Sequence, residues 1–152
     1  MLFRSTFLGV FKSVDEASQA VSDIIAAGIV PGAIEMMDQL ITQALEEAYH
    51  FGFPLDAGAV LIVELDGLAK GVEKQAKRVD DICRRNNASE VRLARDAAER
   101  AALWNCRKRA FGAIRRLSPT YVTQDGVVPR TTLPELMRFT RSARARPALP
   151  SP

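Results

Sequence analysis

Hydrophobic and polar positions alternate with a period of two in several segments of the chain, which is the pattern of a sheet strand. Residues 2–11 alternate in this way. Residues 59–65 form an apolar run that is rich in β-branched side chains and contains one glutamate. Such a run is typical of a central strand that is buried on both faces. Shorter patterns at 33–37, 91–93 and 121–129 predict two further strands and an extended segment.

Apolar residues recur at helical spacing in the segments between these strands. Ser13 and Asp96 are each followed three residues later by a glutamate, the spacing of a capping box, and Asp38 is a candidate N-cap. Helices are expected to begin near residues 14, 38, 68, 96 and 133. This alternation predicts a layered sheet with helices packed on it, and helices confined to one face would give a ferredoxin-like two-layer sandwich.

The positive charge of the chain is concentrated near its end. The formal net charge is +3, but the four arginines of residues 138–146 all follow the last acidic residue, Glu135, so the rest of the chain is close to neutral. We expect one domain over residues 1–137 and a disordered tail, rich in Arg, Ala and Pro, over residues 138–152. Arginines without interleaved aromatic residues are a poor footprint for nucleic acid, so no nucleic-acid partner is expected.

Cysteine use and the length of the apolar runs bear on the cellular setting. Cys83 and Cys106 lie on separate predicted helices, without the paired spacing of a secreted disulfide scaffold, which favours a reduced, cytoplasmic context. The two residues supply no metal cage, and no metal is expected. Residues 2–11 are too short to span a bilayer, so the sequence predicts no transmembrane segment.

Arg107 is the residue that the helical pattern does not explain. The residues Leu103, Trp104, Ala110, Phe111, Ile114 and Leu117 predict one apolar face of the helix that begins at Asp96, and Arg107 lies in its middle. A guanidinium in such a place needs an anion, because a buried charge is costly unless it is paired. The anion is either the carboxylate of a substrate or an internal partner such as Glu64, Asp66 or Asp125. Alternatively, the stem of Arg107 covers Trp104 and its head reaches water.

Other candidate sites are weaker. His50 is the single histidine and lies near the end of a predicted helix, where a structural role is the more frequent one. Glu64 and Asp66 could form an acid pair, although charged residues are ordinary at the end of a strand. The glycines do not form either of the runs that cradle nucleotide phosphates.

Three stretches, residues 26–38, 59–67 and 124–130, occur in order, with Leu103-Trp104-x-x-Arg107-Lys108 between the second and the third. Together they resemble the C-terminal substrate domain of FAD-linked oxidases, of the type found in the glycolate oxidase flavin subunit and bacterial D-lactate dehydrogenases. The resemblance covers about residues 3–137.

The resemblance implies an α+β fold, a ferredoxin-like two-layer sandwich with an antiparallel sheet, that lies against a separate FAD-binding domain. It also implies a reaction in which a small 2-hydroxy acid loses hydride to the flavin. Arg107 matches the arginine that is expected to hold the substrate carboxylate. Gln124 and Asp125 match a region near the substrate and the flavin, but Thr123 stands where some members have a basic residue, which puts the polar contacts there in question.

The chain also departs from the family pattern. It has no stretch for the flavin domain and no His-x-Gly-Asp-Gly-Asn-x-His motif after His50, so no catalytic residue is assigned. We therefore expect a truncated substrate domain, inactive alone, with FAD held elsewhere in the complete enzyme. A flavin-domain chain or other oxidase subunits are its expected partners. The alternative is a stand-alone module that binds small carboxylates without catalysis.

Overall fold

Four strands form one antiparallel sheet in the computed structural model, which describes residues 3–118 and 120–144. The strand order is β2-β3-β1-β4, so that β1 and β3 are central and β2 and β4 lie at the edges. The strands are β1 (Phe3–Phe11), β2 (Ala33–Asp38), β3 (Ala59–Gly67) and β4 (Glu90–Leu93). The predicted strands are thus present, and Leu2, the first residue of the predicted β1, lies outside the described residues.

The same part of the chain contains five α-helices and one short 3-10 helix, Arg130–Thr132. The α-helices are α1 (Val14–Ala26), α2 (Gln39–Tyr49), α3 (Ala69–Arg85), α4 (Ala97–Leu117) and α5 (Leu133–Arg144). The sheet with α1 and α3 has the element order and strand order of a ferredoxin-like sandwich, since each helix joins two strands that are not neighbours. The predicted α+β class and antiparallel sheet are confirmed.

Helices cover both faces of this sheet. On one face, α1 and α3 pack against alternate strand residues such as Leu61 and Val63, and this is the first core. On the other face, α2 and α4 pack against Val60 and Ile62, and this is the second core. The second helix layer extends the two-layer sandwich that we expected, because a central strand that is apolar on both faces over Ala59–Val63 needs cover on both sides.

Short-range sequence signals fix the helix starts. Ser13 accepts a hydrogen bond from the backbone N–H of Glu16, and the Glu16 carboxylate accepts one from the backbone N–H of Ser13, so this capping box is complete. Asp38 caps α2 through Ile41. Asp96 caps α4 in the same way, although the Glu99 carboxylate accepts from Arg95 instead of from Asp96.

The structure differs from the sequence-based expectation near the end of the chain. Residues 121–129 belong to no strand and are mostly exposed. Helix α5 continues to Arg144, so residues 138–144 are helical where we expected the disordered tail to begin. Met137 packs against the first core, and Arg138 Nη1 lies 3.0 Å from Asp15 Oδ1 on α1. These contacts tie α5 to the domain, and residues 145–152 lie outside the described residues.

Within 3–118 and 120–144, no helix combines the length and the apolar character that crossing a membrane requires.

Candidate functional site

Helix α4 lies across the second face of the sheet and presents one row of small or apolar residues to it. The fully covered residues of this helix are Leu103, Cys106 and Ala113. Phe111 and Leu117, which we placed on the buried face, are 47% and 44% exposed. The helix is therefore rotated about its own axis relative to the predicted orientation. Its small residues allow close approach to the sheet, and its bulky residues lie to the side of this contact.

Arg107 forms an ion pair with Glu35 on the edge strand β2. The Arg107 Nε lies 3.0 Å from Glu35 Oε2, and the two side chains are 39% and 36% exposed. The internal partner is thus Glu35 and none of the acidic residues Glu64, Asp66 and Asp125 that the sequence suggested. The Arg107 side chain is therefore both paired with a carboxylate and partly exposed to solvent, although the sequence analysis treated these as alternatives.

Glu64 on β3 accepts polar contacts from two other elements. Its Oε2 accepts hydrogen bonds from Trp104 Nε1 at 2.9 Å and from Thr6 Oγ1 at 3.3 Å. Its Oε1 lies 4.0 Å from Arg4 Nη1, and its side chain is only 16% exposed. Glu64 is therefore largely covered and occupied by protein donors, which does not favour a role as one half of an exposed acid pair with Asp66.

The strand register brings the two glutamates under the same helix. Glu35 pairs with Ile62 and Ala33 pairs with Glu64 across β2 and β3, so the two glutamates are diagonal neighbours on one face of the sheet. Trp104 and Arg107 are three residues apart on α4, which places them on the same side of the helix. We call Arg107, Glu35, Trp104 and Glu64 the Arg107 cluster.

The chemistry available to this cluster is the binding of an anion. A guanidinium has five N–H donors in a planar fork, and the Glu35 contact is made through Nε on one flank. The terminal nitrogens are therefore able to form a two-point contact with a second carboxylate. Sequence reasoning missed Glu35, although a single charged residue in the apolar run at 33–37 is a signal that it needs a partner.

Gln124 and Asp125 lie in the exposed segment between α4 and α5. Among residues 3–118 and 120–144, no hydrogen bond or ion pair joins either of them to Arg107. The roles of Gln124 and Asp125 therefore remain predictions from the family resemblance.

The other residues considered from sequence have structural positions. His50 is the left-handed C-cap of α2, with a φ of 55°, and its backbone N–H donates to Glu46 O. Cys83 and Cys106 are buried free cysteines, and burial raises the pKa of each thiol to about 11. No group of three or more His, Cys, Asp or Glu side chains in the described ranges is arranged to hold a metal ion.

The described residues do not fit the phosphates of FAD. The glycines with a positive φ, which are Gly28, Gly52 and Gly67, lie at the ends of different elements and form no continuous run of backbone N–H donors. No step of flavin chemistry is therefore assigned to residues of this chain.

Comparison with known proteins connects this chain to a family. The chain is 48% identical over 130 residues to glycolate oxidase subunit GlcD of Escherichia coli K12, covering 86% of this chain and 26% of that protein. It is 34% identical over 143 residues to the GlcD subunit of Bacillus subtilis, covering 94% and 30%. A probable mitochondrial D-lactate dehydrogenase of Danio rerio is 29% identical, covering 87% and 27%.

The fold is shared with a solved structure of an alkyldihydroxyacetonephosphate synthase, at a TM-score of 0.63 and 18% identity. That match covers 95% of this chain and 30% of the other. The chain thus spans between a quarter and a third of the length of the proteins it matches here. The family model for the C-terminal domain of FAD linked oxidases matches residues 3–148, and the chain belongs to this family.

Proposed function

We propose that this chain is the substrate domain of an FAD-dependent oxidoreductase that acts on 2-hydroxy acids of the glycolate or D-lactate type. The observation that carries the proposal is the partly exposed side chain of Arg107, which is paired through Nε with Glu35 and lies one turn after an indole that is itself hydrogen-bonded. In this proposal Arg107 binds the substrate carboxylate through its terminal nitrogens. Glycolate oxidase and D-lactate dehydrogenase are the names of relatives found by sequence.

FAD is the cofactor of the complete enzymes in this family, where it accepts hydride from the substrate. The residues of this chain contribute carboxylate binding and orientation. Gln124 and Asp125 add polar contacts to the substrate when their segment is covered by a second domain. Because the residues that the structure describes offer no phosphate cradle, we propose that the chain is inactive alone.

The surface next to Arg107 supports a second domain or subunit as partner. Phe111 lies one turn after Arg107 on α4 and is 47% exposed. We propose that a flavin-domain chain or another oxidase subunit covers this surface and completes the substrate site. The two free, buried cysteines support a reducing, cytoplasmic setting for the assembly.

Titration calorimetry with a small ligand series tests the proposal. Glycolate and D-lactate should bind the chain weakly, acetate should bind less well because it lacks the hydroxyl group, and ethylene glycol should not bind because it lacks the carboxylate. Arg107→Ala and Arg107→Lys should both remove binding, since an ammonium does not reproduce the two-point fork. Glycolate binding that is unchanged in both variants contradicts the assignment of Arg107.

The second candidate function is a stand-alone module that binds small carboxylates without catalysis. The same partly exposed arginine side chain favours it, because binding requires only Arg107 and the groups that support it. Ligand-induced thermal stabilisation that is as large for acetate as for glycolate would favour this module over a substrate domain.

A further inference from the structure

The ion pair between Glu35 and Arg107 adds little to the stability of the fold. Both side chains are more than a third exposed, and pairs between such solvent-exposed charges contribute little because water and salt screen them. The unfolded chain would solvate the two groups nearly as well. The pair can nevertheless fix the orientation of the Arg107 guanidinium.

Both members of the pair extend from rigid backbone. Glu35 lies in β2, where its neighbours along the same face are anchored by the pairing of Ala33 with Glu64 and by the buried Met37. Arg107 directly follows the buried Cys106 on α4. The 3.0 Å contact between Nε and Glu35 Oε2 thus joins two fixed elements through one long side chain.

The guanidinium nitrogen that Glu35 contacts indicates whether Glu35 supports Arg107 or competes with its ligand. A carboxylate that competed with the substrate would occupy the terminal Nη1 and Nη2 nitrogens, whereas Glu35 is nearest to Nε on the flank. Trp104, one turn before Arg107, is held in turn by Glu64. Protein groups thus hold the Nε side of the guanidinium and the preceding turn of α4, and the terminal nitrogens of Arg107 are left for a ligand.

We propose that Glu35 is a positioning residue, which holds the guanidinium of Arg107 so that its terminal nitrogens can receive the carboxylate of a 2-hydroxy acid. This inference rests on the proposed function, because it assigns to Glu35 a role in the same site. The role requires a side-chain oxygen of residue 35 close to Nε of Arg107. A negative charge there partly offsets the attraction of Arg107 for an anion.

The test compares Glu35→Ala and Glu35→Gln by titration with sodium glycolate at constant ionic strength. Glu35→Ala removes the acceptor and should weaken glycolate binding by about 3- to 10-fold, the effect of immobilising one long side chain at the moment of binding. Glu35→Gln keeps an acceptor oxygen without the charge and should bind glycolate at least as tightly as the parent. Glu47→Ala, at an exposed position on α2, is the matched control and should bind like the parent.

Glycolate affinity is the readout that a purely structural role would not move, and the side-chain Nε–H resonance of Arg107, assigned by its loss in Arg107→Lys, reports whether the contact with residue 35 is kept. This resonance should shift toward the position of free arginine in Glu35→Ala and remain near its parent position in Glu35→Gln. Tighter glycolate binding in both Glu35 variants would show that Glu35 competes with the ligand, and unchanged binding in both would show that it has no role in the site. Either result overturns the inference alone. A parent chain that binds no 2-hydroxy acid overturns the proposed function as well.

Discussion

The indole Nε1 of Trp104 donates a hydrogen bond of 2.9 Å to Glu64 Oε2, which links α4 to the central strand β3. Glu64 also accepts from Thr6 on β1, so one carboxylate connects a helix with the two central strands of the sheet. This contact fixes the turn of α4 that precedes Arg107, and it therefore bears on both the stability of the fold and the geometry of the site.

Removing this acceptor should lower stability measurably. Glu64→Leu leaves the indole N–H of Trp104 and the hydroxyl of Thr6 without their partner, and we expect a loss of about 1 to 2 kcal/mol in the free energy of unfolding. Glu64→Gln keeps an acceptor oxygen and should lie closer to the parent. Trp104 is the single tryptophan, so urea unfolding followed by its fluorescence measures the effect directly. Equal stability of all three proteins would show that this hydrogen bond does not hold α4.

The sequence predicted those features that depend on neighbouring residues. The capping box of Ser13 and Glu16 spans four residues, and its physical cause is contained within about one turn. The pairing of Glu35 with Arg107 was not predictable in this way, because it depends on the register between β2 and β3 and on the placement of α4 over both. Pattern analysis located Arg107 but not its partner.

The extent of α5 shows a second limit of sequence reasoning. A short apolar row supports the first turns of this helix, namely Leu133, Leu136 and Met137. The arginines that follow this row made the rest of the helix resemble a disordered tail. The ion pair of Arg138 with Asp15 joins elements that are distant in the chain and carries no local signal. Composition therefore predicted a disordered tail at a point where tertiary contacts continue the helix.

Two truncations test where the ordered domain ends. Deleting residues 145–152 should leave the melting temperature almost unchanged, because their composition offers little apolar surface to bury. Deleting residues 138–152 should lower it by about 3 °C or more, since the short helical remnant left behind is not stable on its own. Calorimetric scans of the parent and both truncations make the comparison. A melting temperature that is the same in all three would restore the boundary at residue 137.

The buried thiols should make the fold sensitive to alkaline pH. Burial raises the pKa of Cys83 and Cys106 from the ordinary value of 9.0 to about 11, so the folded state keeps both thiols neutral after the unfolded state has begun to ionise. The stabilisation that they contribute is fully present below about pH 9 and is lost as the pH rises toward about 11. The free energy of unfolding should fall more steeply over this range in the parent than in a Cys83→Ala, Cys106→Ala double variant. Parallel curves for the two proteins would contradict the predicted thiol contribution.

The purified chain should be colourless and should not reduce a dye acceptor in the presence of glycolate or D-lactate. Its sequence contains no glycine run that cradles phosphates, and the described residues form no phosphate-binding loop. Visible absorbance after incubation with FAD and gel filtration checks the first point, and dye reduction checks the second. A yellow protein that is bleached by glycolate would require a flavin site within these residues.

The most direct measurement of the central claim is turnover in a chimera. The homologous 130-residue segment of the Escherichia coli GlcD subunit is replaced by the matching residues of this chain, and glycolate-dependent dye reduction is measured with and without Arg107→Lys. Flavin absorbance of both chimeras serves as the control for intact assembly. We predict that the unsubstituted chimera oxidises glycolate and that Arg107→Lys lowers kcat/KM by about 30-fold or more, because an ammonium does not reproduce the two-point contact with the substrate carboxylate. Equal kcat/KM in the two flavin-loaded chimeras, or no turnover by a flavin-loaded chimera with unsubstituted Arg107, would contradict the account.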